Sequence, residues 1–227
     1  MSPSFDWTEI DLVVFDVDGT LYSQRALRAR IIPDLVIDAI ATRTLTTLAV
    51  IKAYRAVREA LAEAERPGFE EIALQRASDT ASVTPAQAAE AIAEWIEKRP
   101  LKHLRRCRYP GTAELFAAIR RSGKTLAVLS DYPAAQKLRA LELEADFVAC
   151  AGDSAIGMMK PHPKGLLSII ARAGTVPGRC VLIGDRADRD GLAASRCGSH
   201  ALIRGGADTA TAFRGFADPV FQPLLRG

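Results

Sequence analysis

Five short apolar runs, Leu12–Phe15, Leu126–Leu129, Phe147–Ala149, Val181–Ile183 and Ala201–Ile203, constrain this chain more than any other feature. None alternates cleanly between apolar and polar residues. Each therefore reads as a strand covered on both faces, the habit of parallel sheets. Helical segments separate the last four. Thr112 is placed to cap AELFAAIRRS, which Gly123 would stop, and Pro133 suits the first turn of the next helix. PKGLLSIIARAG carries apolar residues at helical spacing up to Gly174. Strand–helix alternation of this kind predicts an α/β fold, a doubly wound parallel sheet with helices on both faces.

Residues 24–108 break the pattern. Ile32, Val36 and Ile40 lie four apart, and Tyr54, Val57 and Leu61 follow at spacings of three and four. Thr84-Pro85-Ala86-Gln87 is a capping box with proline at the first helical position, opening a helix through Ile92, Trp95 and Ile96 that Pro100 ends. The expected organisation is an α/β core of residues 1–23 and 109–227, with an all-helical module over 24–108 inserted after the first strand. That strand, isolated in sequence from its partners, is expected at the centre of the sheet, with ligands at the strands' carboxyl ends.

Composition narrows the partners. Over 227 residues, 48% hydrophobic content suffices for a sizeable core, while a formal charge of +3 without a polybasic tail gives no sign of nucleic acid. The most basic run, Lys102 to Arg108, reads as a solvated face. Cys107, Cys150, Cys180 and Cys197 form no C-x-x-C pair, so neither thiolate metal spacing nor a dense disulfide framework is present. The longest apolar stretch, Ile31 to Ile51, is interrupted by Asp34, Asp38 and Arg43, and MSPSFDWTEIDL is acidic without an apolar signal core. The expectation is a cytoplasmic protein with no membrane partner. Spacing carries no information on oligomeric state.

Polar residues gather where the strands end. The first strand runs into Asp16-Val17-Asp18-Gly19-Thr20, the second into Ser130-Asp131, and the fourth into Gly184-Asp185-Arg186-Ala187-Asp188-Arg189-Asp190. Between the third and fourth lies Met159-Lys160-Pro161-His162-Pro163. Asp-Gly alone is ordinary turn chemistry, and a lone lysine is ordinarily solvated. Buried parallel strands, however, need none of these charges for packing. Asp16 and Asp185 converging with a third acid resist ionising together unless a cation joins them. An all-oxygen donor set without histidine or thiolate suits Mg²⁺. Ser130 before a helix N-terminus, together with Lys160 and magnesium, fits phosphate, and a carboxylate in such a site can act as nucleophile.

VVFDVDGTLY, the Ser130 strand end, Lys160 before Pro-His-Pro, and GDRADRD together resemble the four ordered motifs of the haloacid dehalogenase-like superfamily. The resemblance covers residues 11–23 and 109–204, and the helical insert resembles that family's cap in position and type. It implies Asp16 as nucleophile forming an aspartyl-phosphate, and Asp18 as the acid that protonates the leaving oxygen and then activates water. It further implies Mg²⁺ held by Asp16, the backbone carbonyl of Asp18, and Asp185, with Ser130 and Lys160 holding the phosphoryl group. The cap would close over the site and choose the leaving group. Asp131 replaces the asparagine common after the motif-two hydroxyl; it falls in the phosphate-binding segment and is expected to turn away and cap the following helix. Of the later acids, Asp190 is favoured over Asp188 as metal support, acting through water or by orienting Lys160. The function so implied is a Mg²⁺-dependent phosphatase of a small phosphorylated metabolite. A phosphomutase shares all four motifs, and a 2-haloacid dehalogenase shares Asp16 but needs no acid at position 18.

Overall fold

The computed structural model describes residues 5–206 and 212–226. Met1–Ser4, the start of the amino-terminal stretch read above, lie outside them. The chain divides into two compact units: one runs up to Ser23 and resumes at Arg108, and the other spans Gln24–Cys107.

In chain order, β1 (Leu12–Phe15) is followed by five helices: α1 (Gln24–Thr42), α2 (Thr46–Glu63), α3 (Phe69–Ala81), α4 (Pro85–Ile92) and α5 (Leu101–Cys107). Then come α6 (Thr112–Arg121), β2 (Thr125–Ser130), α7 (Ala135–Leu141), β3 (Phe147–Cys150), α8 (Lys164–Arg172) and β4 (Cys180–Gly184). The chain continues through α9 (Leu192–Cys197), β5 (His200–Arg204), β6 (Ala212–Phe213) and α10 (Gln222–Arg226). Among the described residues the six strands form one parallel sheet in the order β3-β2-β1-β4-β5-β6. All five expected strands are present. The two-residue β6 at the edge is too short to announce itself by pattern.

β1 is central because both its neighbours are parallel partners: Leu12 to Phe15 pair with Thr125 to Val128 on one side and with Cys180 to Ile183 on the other. Its side chains point alternately to the two faces, and both are covered. Leu12 and Val14 pack with Ala127, Leu129 and Leu182 against Leu166, Ile169 and Ile170 of α8 and Ala193 and Ala194 of α9. On the other face Phe15 stacks on Phe116 of α6 at 4.7 Å and meets Phe216 at 6.1 Å. Every residue of β1 is fully buried, so period-2 alternation has nothing to record. Each such side chain contributes ~1.5–3 kcal/mol.

Two local expectations fail. Thr112 is not a cap but the first residue of α6; Gly111 is the N-cap at φ 82°, a left-handed conformation that costs glycine nothing, and Thr112 Oγ1 donates to the Tyr109 carbonyl at 2.7 Å. Pro133 precedes α7 rather than opening it, because the N-cap is Ala134.

The helical unit contains no strand. Its interior is built from Val50, Ile51 and Tyr54 of α2, Phe69, Ala73 and Ala77 of α3, and Ala88, Ile92, Trp95 and Ile96. The Thr84–Gln87 capping box forms as expected, with Thr84 Oγ1 accepting from the Gln87 N–H. A single π turn, Ala93–Lys98, extends α4. In α1 only Leu27 and Ile31 are buried; Ile32, Val36 and Ile40, whose spacing announced the helix, face solvent.

Candidate active site

The carboxyl ends of β1, β2 and β4 lie side by side in the sheet, so parallel pairing alone brings Asp16, Ser130 and Asp185 to one edge. The Asp16 N–H still donates to the Ile183 carbonyl at 2.9 Å, extending the ladder one residue beyond β1. The chain then turns on Gly19, whose φ of +104° excludes a side chain on backbone grounds. Space excludes one as well, since a Cβ there would lie 2.1 Å from Asp185 Oδ2. The β1 loop and the β4 loop are therefore as close as two backbones carrying that carboxylate can be.

Lys160 is the centre of the cluster. Its ammonium lies 2.6 Å from Asp16 Oδ1 and 2.7 Å from Asp190 Oδ1, with all three residues buried. The other Asp16 oxygen accepts from Thr20 Oγ1 at 2.9 Å. The backbone around Lys160 is gripped from two loops: its N–H donates to Asp131 Oδ1 and its carbonyl accepts from Arg189 Nη1, both at 2.9 Å. Asp131 thus turns away from helix capping, as α7 has no side-chain cap, and anchors the lysine loop instead. Asp190 Oδ2 accepts from the Arg186 N–H at 3.1 Å, while Asp188 pairs with the Arg186 guanidinium at 2.6 Å in a solvated position. Of the two acids, the structure brings Asp190 and not Asp188 into the cluster.

Three carboxylates, Asp16, Asp185 and Asp190, place oxygens within 4.8 Å of one another. One ammonium does not offset that much buried negative charge. Burial, reinforced by Asp190 and Asp185 against the pull of Lys160, pushes Asp16 up to about 8; burial and Asp190 push Asp185 up to about 6. Burial works against the Lys160 ammonium, but Asp16 and Asp190 outweigh it and hold it firmly charged. Hard oxygen donors, surplus negative charge and raised carboxyl pKa values fit a divalent cation such as Mg²⁺.

Asp18 stands apart from this group. Its carboxylate receives the Lys137 ammonium on both oxygens, at 2.7 and 2.6 Å, and the Tyr22 hydroxyl on one. Burial alone would raise its pKa; Lys137, with help from Tyr22, more than reverses that and holds the carboxyl below its usual range. Ser130 is fully buried, its Oγ accepting from the Tyr132 N–H at 3.2 Å. Four participants escaped the sequence reading: Thr20, Tyr22, Lys137 and Arg189. Thr20 and Tyr22 sit inside the quoted motif and could have been tried as partners of its acids. Lys137, on a short amphipathic helix, reads like any solvated lysine.

A family model for haloacid dehalogenase-like hydrolases matches residues 10–198. The chain belongs to that family. The glyceraldehyde 3-phosphate phosphatase of Methanopyrus kandleri is 27% identical over 83% of this haloacid dehalogenase-like chain and 81% of its own length. The phosphoglycolate phosphatase of Salmonella choleraesuis is 30% identical, but over only 43% of this chain and 40% of its own length. Among solved structures, a 2-haloacid dehalogenase from Pseudomonas syringae pv. Tomato superposes with a TM-score of 0.64 at 22% identity, covering 92% of this chain and 95% of that one. This last likeness is one of fold. Among the described residues, no helix is long and apolar enough to cross a membrane.

Proposed function

We propose that this hydrolase is a Mg²⁺-dependent phosphatase that removes phosphate from a small phosphorylated metabolite through an aspartyl-phosphate on Asp16. The observation that carries the reading is the pairing of two chemically separate carboxylates on one loop. Asp16 belongs to the buried three-acid group with Lys160, whereas Asp18, two residues on, is held outside it by Lys137 and Tyr22. A nucleophile and a proton carrier need such different surroundings. Displacement of halide by Asp16 alone would leave Asp18 without a task. The phosphatase names of the relatives support the same choice.

Asp16, Asp185 and Asp190 would hold the ion, with the Asp18 carbonyl as a further oxygen donor. When bound, Mg²⁺ supplies charge that lets a phosphate anion approach a carboxylate. The residues themselves do the rest. An Asp16 oxygen attacks phosphorus in line; the Asp16 O–P bond forms as the bond to the leaving oxygen breaks, and Asp18 gives that oxygen its proton. The now ionised Asp18 takes a proton from water, whose oxygen attacks phosphorus and releases Asp16. Ser130, the backbone N–H of Asp131 and Lys160 bind phosphoryl oxygens, and Lys160 offsets the charge that builds there. A phosphate dianion alongside Asp18 works against Lys137 and favours the protonated acid the first step needs.

The test is a panel of phosphorylated metabolites with Mg²⁺, reading phosphate release, alongside 2-haloacids, reading halide. Phosphate release that EDTA stops, that Mg²⁺ restores and that Asp16→Asn abolishes is the expected result. Halide release, or phosphate release by Asp16→Asn at the wild-type rate, would refute the proposal.

A further inference from the structure

The turn that delivers Asp190 to the site carries a second buried charge beside it. Arg189 is only 4% exposed, and a guanidinium is rarely kept that far from water unless its N–H groups are in use. Its Nη1 donates to the Lys160 carbonyl at 2.9 Å. Asp188 Oδ2 lies 3.9 Å from Arg189 Nε, but that carboxylate is solvated and stands closer to Arg186, at 2.6 Å. An ion pair so long and so exposed holds little. The short buried bond is the one that ends on the backbone of the lysine at the centre of the site.

The local backbone explains how two neighbouring residues reach one lysine. The Arg186 carbonyl accepts from the N–H groups of Arg189, Asp190 and Gly191 at 3.2, 2.8 and 3.2 Å, which winds Ala187–Gly191 into a single wide turn. Consecutive residues of such a turn point in different directions. Asp190 accordingly meets the Lys160 ammonium at 2.7 Å, while Arg189 meets the backbone at the other end of the same side chain. A lysine stem is long and flexible, so holding the ammonium alone leaves its origin free to drift. Asp131 Oδ1 fixes the Lys160 N–H from the β2 loop at 2.9 Å, and Arg189 fixes the carbonyl from the β4 loop. The next carbonyl, that of Pro161, accepts from Arg196 at a longer 3.2 Å.

We infer that Arg189 is a positioning residue: through its bond to the Lys160 carbonyl it sets where the Lys160 ammonium stands against the transferring phosphoryl group. The inference rests on the phosphatase reading above and gives a role to a residue that reading does not use. Arg189 acts through Lys160 and is assigned no contact with the reacting atoms. Lys160 offsets charge that builds on the phosphoryl group as the reaction proceeds, so its misplacement is felt in kcat more than in substrate binding.

Arg189→Met keeps an apolar stem and removes the donors. With p-nitrophenyl phosphate and Mg²⁺ its kcat should fall ~10–100-fold while KM stays within about threefold. Arg189→Lys retains a charged donor and should fall between that variant and the wild type; it carries the test if the methionine variant does not fold, which circular dichroism checks. Asp188→Asn, which removes the solvated carboxylate beside Arg189, should leave kcat within about twofold. Hydrogen exchange reads the geometry without turnover: in Arg189→Met the Lys160 N–H should exchange ~10-fold faster, while those of Val128 and Leu182 inside the sheet are unchanged. A wild type that releases no phosphate fails the phosphatase reading and takes this inference with it. Beside an active wild type, the inference alone is overturned by wild-type kcat in Arg189→Met, even if that variant melts earlier. An equal loss in Asp188→Asn, or unchanged exchange at Lys160, overturns it as well.

Discussion

Gly184→Ala adds one methyl group at the end of β4, and its cost can be worked out in advance. The added Cβ would lie 2.2 Å from Asp190 Oδ2, 2.3 Å from its Cγ and 2.5 Å from its Cβ. Ordinary contacts between such atoms are ~3.5–4.0 Å, so Asp190 has to retreat by more than an ångström. A rotamer change does not suffice, because the Asp190 Cβ is itself too near; the turn from Ala187 to Gly191 must move with it. Asp190 is buried and bonded to the Lys160 ammonium at 2.7 Å, so the lysine loses a partner it was built around. Misplacement of ~1 Å at a catalytic cluster costs ~10²-fold in rate, and overpacking of this kind costs ~1–3 kcal/mol. The expected result is a ~10²-fold fall in kcat/KM for p-nitrophenyl phosphate and a melting temperature lower by roughly 2–10 °C. Gly178→Ala is the control, since nothing lies within 4 Å of its added Cβ. Wild-type activity and melting in Gly184→Ala would show that the Asp190–Lys160 contact does not matter to catalysis.

Lys137→Met should lower kcat ~10–100-fold with little change in KM, because Asp18 loses the cation that orients it, and Lys137→Arg should recover part of the loss. Unchanged kcat in Lys137→Met would remove Lys137 from the mechanism. Lys160→Met strands buried carboxylates and should destabilise the fold by ~3–5 kcal/mol, read by urea unfolding; Asp190→Asn added to it should return part of that, and strict additivity would count against a shared cluster. Asp16 and Asp185 have raised pKa values, about 8 and about 6, so the metal-free folded state holds protons that the unfolded chain has released between about pH 4 and 8. Their contribution to stability is therefore complete below pH 4 and is lost as pH rises through 6 and then 8. In EDTA the melting temperature should fall from pH 5 to 8.5 more steeply for the wild type than for Asp16→Asn, and Mg²⁺ should rescue more at pH 8.5 than at pH 5. Equal slopes would refute the assignment.

The parts of this molecule legible in the sequence are those where one local pattern has one physical reading. Buried parallel strands must be apolar on both faces, so β1 could be bounded to the residue, and the acids that follow it could only be at the sheet edge. Asp190 could be favoured over Asp188 from spacing; the structure buries Asp190 and leaves Asp188 in solvent. What stayed hidden depends on side chains meeting across long sequence separations. Lys137 meets Asp18 across 119 positions, and Asp131 meets the Lys160 backbone across 29. No composition or period encodes those meetings. Ile32, Val36 and Ile40 show the converse limit: their spacing announced a helix correctly, yet the same spacing suits a face turned to the interior and one turned to solvent.

The position of β1 also governs how the chain must be made. Leu12 to Phe15 are synthesised before both of their partners, which begin at Thr125 on one side and at Cys180 on the other. During translation this wholly apolar tetrapeptide waits through the emergence of six helices before either flank is filled. Closure of the second flank waits for β4 to leave the ribosome. Until then this apolar segment lacks one or both of its neighbours in the sheet. Productive folding therefore depends on shielding those four residues until β2 and β4 have both emerged.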